Sequence, residues 1–243
     1  MSVETRVSAG PEELADAVAA ALIERLAEVQ AEGRVPSVAL TGGSIAERIH
    51  RAVATSIDGL DIDWSEVDFY FGDERYVDSW SEERNSLAAR RDLLDRVGVD
   101  PARVHEMPAS DSGLSLEEAA AAYADTVHAH GTGEFDVVML GVGPDGHVAS
   151  LFPGHPALDV DDRITVAVTE SPKPPPERLS LTFAALNRTR AVWFVVAGEG
   201  KAEAVARARR PGADLHDVPA SGVAGSDETI WWLDEAASSA ESG

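Results

Sequence analysis

Asp145 and His147 stand two residues apart in the stretch GVGPDGH, directly after the apolar run 135–140. Histidine titrates near neutral pH, and a neighbouring carboxylate orients the ring and stabilises its charged form, so the pair suits general acid/base chemistry. Taken alone, an Asp-Gly-His triplet reads first as a turn capped by aspartate with a histidine at the surface. The setting brings the chemical reading level with it. Gly141, Gly143 and Gly146 let the backbone turn sharply and approach a ligand at the carboxyl end of a buried strand. They do not form a dinucleotide fingerprint, because Pro144 and Asp145 interrupt the spacing and no clear helix follows at once.

Three other glycine-marked turns carry polar groups. Gly42-Gly43-Ser44 lies between the apolar run 35–40 and a helical stretch, an arrangement that offers free amides and a helix dipole to an anion such as phosphate. The alternative is that Ser44 serves only as a helix N-cap. Asp73-Glu74-Arg75 follows the apolar run 67–71 and is either a solvated loop or part of a site. Lys201 sits in Gly198-Glu199-Gly200-Lys201 at the opening of a helix, where a lysine suits an anion or simply faces water. A proline run, SPKPPP at 171–176, holds Lys173. Inside a compact chain such a run fixes a loop more readily than it serves as a polyproline ligand.

Positioning these groups requires regular elements. Residues 135–140 are apolar almost throughout, the pattern of a buried parallel strand, bounded by Gly131, Gly133 and Gly141. Strands are likewise expected at 35–40, 67–71, 164–169, 191–197 and 229–233, with Trp231 and Trp232 packing on the sheet. Apolar residues at helical spacing (Leu14, Val18, Ala21, Leu22, Leu26, Val29) predict a helix over 11–32 that ends at Gly33. Further helices are expected at 45–54, 86–97, 116–130 and 202–209, with Arg90, Arg91 and Arg96 solvated and His128 and His130 facing water. The polar stretch 78–85 is expected to be a mobile loop, and the small, polar tail from Asp234 to fray. Strands alternating with helices imply an α/β fold, a doubly wound and mostly parallel sheet with helices on both faces (Rossmann-like), in a single domain spanning 1–243. The four marked turns then gather along one edge of that sheet.

The formal charge of −23 argues against nonspecific nucleic-acid binding, which needs a cationic face to displace counterions. Lys173 and Lys201 are the only lysines, and arginine supplies the other 18 of 20 basic residues. With no cysteine there is no disulfide, thiolate metal site or cysteine nucleophile. The absence of a long apolar run and of a basic leader sets the expectation of a cytoplasmic protein with no membrane partner.

Joint occurrence of these turns carries a resemblance. LTGGS at 40–44, FGDERYV at 71–77, ERNS at 83–86, LGVGPDGHVASLFPG at 140–154, SPKPPPERLSLT at 171–182 and GEGKA at 198–202 span nearly the whole chain. Together they resemble the 6-phosphogluconolactonases, of the sugar-phosphate isomerase type of fold. One departure is Ile45-Ala46, where the family often has Thr-Pro after Gly-Gly-Ser. The resemblance implies hydrolysis of 6-phospho-D-glucono-1,5-lactone in the oxidative pentose phosphate pathway, with no redox cofactor and no metal ligand. By analogy His147 is the general base toward water and Asp145 its support. The phosphate then lies among Gly42, Gly43, Ser44, Arg75 and Lys201, with Asp73, Lys173 and Arg178 also in the binding site. The expected partner is a small sugar-phosphate lactone, and the expected state a monomer or weak homo-oligomer.

Two other classes remain open on sequence. A sugar-phosphate isomerase resembling glucosamine-6-phosphate deaminase shares the scaffold and the Asp-Gly-His turn. It has tyrosine where this chain has Arg75, and Asn-Glu-Pro where this chain has the run from Ser150 to Pro153. A noncatalytic sugar-phosphate sensor is expected to lose the acid/base pair, which is present here. Oxidoreduction with a nicotinamide cofactor lacks its glycine fingerprint.

Overall fold

The computed structural model describes residues 2–56, 62–131 and 134–241. Gly133 and the last two residues of the tail, both invoked above, lie outside them.

Six strands form one sheet in which every pair is parallel: β1 (Ser2–Ser8), β2 (Ser37–Leu40), β3 (Asp68–Phe71), β5 (Val137–Leu140), β8 (Ala191–Val196) and β9 (Glu228–Asp234), in the order β1-β9-β8-β5-β2-β3. A second sheet is antiparallel and consists of β4 (Asp73–Arg75), β7 (Arg178–Leu181) and β6 (Thr165–Val168), in the order β4-β7-β6. The helices are α1 (Pro11–Ala31), α2 (Ser44–Thr55), α3 (Asn85–Ala89), α4 (Asp95–Val97), α5 (Leu116–His130), α6 (Phe183–Leu186), α7 (Ala202–Ala208) and α8 (Glu235–Ser238).

Residue types account for most of this. Strands β3, β5 and β8 are buried along their whole length, so both faces of the sheet must be covered, and continuous apolar runs are what such strands require. Helix α1 starts with Pro11 and carries Glu12 and Glu13 in its first turn, and it buries Leu14, Val18, Leu22 and Leu26. Ser115 and Glu118 form a reciprocal capping box at the start of α5. Trp231 stacks on Phe194 with ring centroids 4.0 Å apart, and Trp193 meets Trp232 edge-on at 5.6 Å. The tryptophans of β9 therefore pack on the sheet as expected.

Several expectations need correction. Asp73–Arg75 is a strand of the second sheet rather than a loop, because its backbone pairs with β7. The helix expected at 86–97 begins at Asn85 and passes through a π turn at Arg90–Leu94. Arg91 and Arg96 are exposed, but Arg90 is half-buried beside Glu106 and Asp95. Arg84 and Asn85 are buried, so the polar stretch ends before 84. The remainder is a set of hydrogen-bonded turns: Trp80 N donates to Asp78 Oδ1 (2.9 Å), and Ser79 Oγ to Asp111 Oδ2 (2.7 Å). The tail does not fray at Asp234. That carboxylate accepts from Ala237 N at 2.7 Å and from Gly198 N at 3.0 Å, and Ala237 is fully buried. His128 and His130 are exposed, as expected, and the His130 ring stacks on His105. Among the described residues no helix is long and apolar enough to cross a membrane.

Candidate active site

The carboxyl ends of β2, β5 and β8 open into a pocket of about 330 Å³, closed on the other side by β4, β7 and the proline run. Gly42, Gly43, Ser44, Asp73, Arg75, His147, Lys173, Arg178 and Lys201 all line it. Asp145 reaches it through its contact with His147.

His147 and Asp145 form the dyad that the turn suggested. Asp145 Oδ1 lies 2.5 Å from His147 Nδ1, and the ring packs beside Phe152 with centroids 4.7 Å apart. Burial alone would raise the Asp145 carboxyl. The hydrogen bond from His147, the His147 charge and the Lys173 ammonium outweigh it and hold the group well below the usual carboxylate range. An ionised carboxylate only accepts, so the Nδ1 facing it carries a proton, and in the neutral ring the lone pair is on Nε2. Lys173 Nζ stands 3.2 Å from the same Nδ1 and 3.6 Å from Asp145 Oδ1. Ammonium and Nδ1–H are both donors, so the attraction runs from Lys173 to the carboxylate. The backbone makes room for the dyad at Gly143, where a Cβ would fall 1.9 Å from Nδ1 and 2.3 Å from Asp145 Oδ1.

The other end of the pocket is built for an anion. Gly43 occupies the cap position of α2 and Ser44 is its first residue, exposed and without a capping bond. The N-cap reading of Ser44 is thus corrected, and this helix end, whose first amides have no intrahelical partner, lines the pocket. Lys201 Nζ donates to Val142 O at 2.9 Å. Burial first, then the Lys173 charge, pull its pKa below the ordinary lysine value, with Asp145 partly offsetting them. The Arg178 guanidinium donates to the carbonyls of Pro175, Lys173 and Pro174, fixing the proline run, and burial lowers its pKa. Among the described residues neither Arg75, Arg178 nor Lys201 has a carboxylate partner at ion-pair distance, in a chain of net charge −23. Cations whose charged forms are disfavoured by burial are stabilised when an anion enters.

Sequence reasoning assigned no role to Asn85, which lines the pocket and bonds to both Arg75 and Asp73. The signal was present in ERNS at 83–86. Nor did it see that Ser150 Oγ donates to Asp73 Oδ2 at 2.6 Å, tying the stretch after the dyad to β4.

Comparison with known proteins identifies the family. The profile of the family described as glucosamine-6-phosphate isomerases/6-phosphogluconolactonase matches residues 9–232. A Streptomyces coelicolor protein named 6-phosphogluconolactonase is 46% identical over 235 residues, 93% of this chain and 90% of its own length. A Mycobacterium leprae protein of the same name is 46% identical over 207 residues, covering 82% and 83%. Among solved structures, the 6-phosphogluconolactonase of Trypanosoma brucei superposes with a TM-score of 0.84 at 26% identity, over 97% of both chains. A monomeric glucosamine-6-phosphate deaminase shares the fold, with a TM-score of 0.82 at 21% identity, over 99% of this chain and all (100%) of its own. With the profile spanning almost all of its length and relatives this similar across nearly the whole sequence, the chain belongs to the glucosamine-6-phosphate isomerase/6-phosphogluconolactonase family.

Proposed function

We propose that this protein hydrolyses 6-phospho-D-glucono-1,5-lactone to 6-phospho-D-gluconate, the lactonase step of the oxidative pentose phosphate pathway. The observation that carries the reading is one pocket holding both an oriented Asp–His dyad and three cations, Arg75, Arg178 and Lys201, with no carboxylate partner among the described residues. His147 Nε2 takes a proton from water as its oxygen attacks C1. The tetrahedral oxyanion then collapses, the bond from C1 to the ring oxygen breaks, and the imidazolium gives its proton to that oxygen. The resulting acid ionises to the product carboxylate. Asp145 keeps the proton on Nδ1 and stabilises the imidazolium that forms between the two steps. The Gly42, Gly43 and Ser44 loop, Arg75 and Lys201 bind the phosphate, with Arg178 at the same end and Lys173 between it and the dyad. The phosphate dianion offsets the field of the clustered cations.

Arg75 in place of tyrosine and the run Ser150-Leu151-Phe152-Pro153 in place of Asn-Glu-Pro favour the lactonase over the deaminase. The names of the 46% identical relatives support the same choice. The test is hydrolysis of freshly generated lactone by the purified protein with a chelator present, followed by proton release against a buffer blank, because the lactone also opens spontaneously. Rapid hydrolysis with no ammonia released from glucosamine 6-phosphate is the expected result. A rate equal to the blank would overturn the reading, and ammonia release would move the protein to the deaminases.

A further inference from the structure

The segment 83–86 lies against β4, and its backbone is held there by a buried carboxylate. Glu74 is fully buried and accepts from Arg75 N (2.9 Å) and Asn85 N (2.7 Å) on one oxygen and from Ser86 N (2.9 Å) on the other. The Asn85 side chain is therefore not what fixes the segment. Its amide does something else. Nδ2 donates to Asp73 O at 2.9 Å and Asp73 Oδ1 at 3.3 Å, while Oδ1 accepts from Arg75 Nη1 at 2.5 Å. The orientation is forced, since guanidinium only donates and the Asp73 oxygens only accept. Arg75 Nη1 also donates to Glu83 O at 2.9 Å. Among the described residues both bonds of the guanidinium fall on Nη1, so Nε and Nη2 are left for a ligand.

The amide reaches Arg75 by passing over Gly42. A Cβ on Gly42 would fall 1.8 Å from Asn85 Oδ1 and 2.4 Å from its Cγ. Glycine at 42 thus admits the amide, besides shaping the phosphate loop. Asn85 is 4% exposed, and its Nδ2 is engaged with two oxygens of Asp73 and its Oδ1 with Arg75. It touches the Arg75 guanidinium on one side and the Gly42 loop on the other.

We propose that Asn85 is a positioning residue that aims the Arg75 guanidinium at the anionic group of the substrate, and that this contact requires glycine at 42. The inference deepens the lactonase reading and rests on it for the identity of the substrate, but not for its test. A double-mutant cycle of Asn85→Ala and Arg75→Ala, read as the affinity of inorganic phosphate by calorimetry, needs no catalysis. Asn85→Ala is expected to weaken phosphate by about tenfold, the order of one charge-assisted hydrogen bond, and to have less than about a twofold effect once Arg75 is gone. With lactone, the same variant is expected to raise KM by a similar factor while kcat stays within about threefold. A melting temperature within a few degrees of wild type is expected, because Glu74 still holds the backbone. Should Asn85→Ala not fold, Asn85→Ser, which keeps a hydroxyl toward Asp73, takes its place in the cycle. Equal weakening with and without Arg75, or a loss confined to kcat, would sink the proposal. Absence of hydrolysis in the wild type alongside a coupled phosphate cycle would remove the lactonase reading and leave the Asn85 inference standing.

Discussion

Hydrolysis by a His147→Gln protein is expected to fall by about 10²–10⁴-fold in kcat, the range typical of a positioned general acid/base, with phosphate affinity unchanged. Glutamine keeps a polar side chain of similar bulk and cannot shuttle the proton. The geometry offers a second route to the same loss that leaves both catalytic groups in place. Gly143→Ala puts a methyl where the imidazole and the Asp145 carboxylate now sit, at 1.9 Å from Nδ1 and 2.3 Å from Oδ1. The ring must swing out of the pocket, because the Gly143 backbone is fixed by its N–H to His147 O and by its carbonyl to Gly146 N, both at 2.9 Å. Displacing a general base by an ångström or more costs on the order of 10²-fold. Stopped-flow rates on fresh lactone, with calorimetric phosphate binding on the same preparations, check both variants. Full activity in Gly143→Ala would mean that the dyad geometry described here is not the one that works. Loss of phosphate binding in His147→Gln would mean that the histidine serves the anion and not the water.

The contrast between Gly143 and the central strand shows where sequence stops being informative. The strands buried on both faces, β5 and β8 above all, were legible as unbroken apolar runs, since burial on both sides leaves no place for polar residues. β1 was not, because it is an edge strand with five of its seven residues exposed, and exposure removes the pattern. In the second sheet β6 was legible at 164–169, but the β4–β7 pairing was not, for another reason. Asp73–Arg75 pairs with Arg178–Leu181 about a hundred residues later, and three charged residues give no periodicity to read. The candidate site came through better, because glycine turns after buried strands mark the ligand edge of a parallel sheet whatever the rest of the chain does. What sequence could not supply was the reason for individual glycines. Gly143 and Gly42 look like flexible turn residues, and both prove to be spaces for a particular side chain, His147 and Asn85. Asn85 itself escaped because a polar residue in a polar stretch is ordinary until its amide is seen between Arg75 and Asp73.

Stability is expected to fall between neutral pH and pH 4 through one residue that the site does not use, His50 on α2. It is 2% exposed, and neither ring nitrogen has a hydrogen-bond partner among the described residues. Burial pushes its pKa down to about 4, while Asp92 on the π turn pulls it up and Arg51 pushes it down. In the folded protein the ring is therefore neutral, whereas in the unfolded chain it titrates near 6.5. Below that value the unfolded state binds more protons, so stability is complete above about pH 6.5 and drains away as the pH falls toward 4. At pH 4.5 the loss from this residue alone is about 2 kcal/mol relative to pH 7. His50→Leu removes the titrating group and the two unpartnered nitrogens together, so urea unfolding should find it no less stable than wild type at pH 7. The gap in its favour should then widen by about 2 kcal/mol at pH 4.5. The comparison cancels the carboxylates that do not face His50; Asp92 does face it, its pKa lowered first by the hydrogen bond from Arg91 and also by the His50 charge. A gap that stays constant between the two pH values would show that the ring is not buried and neutral between α2 and the π turn, and that the acid sensitivity of the fold belongs to its carboxylates.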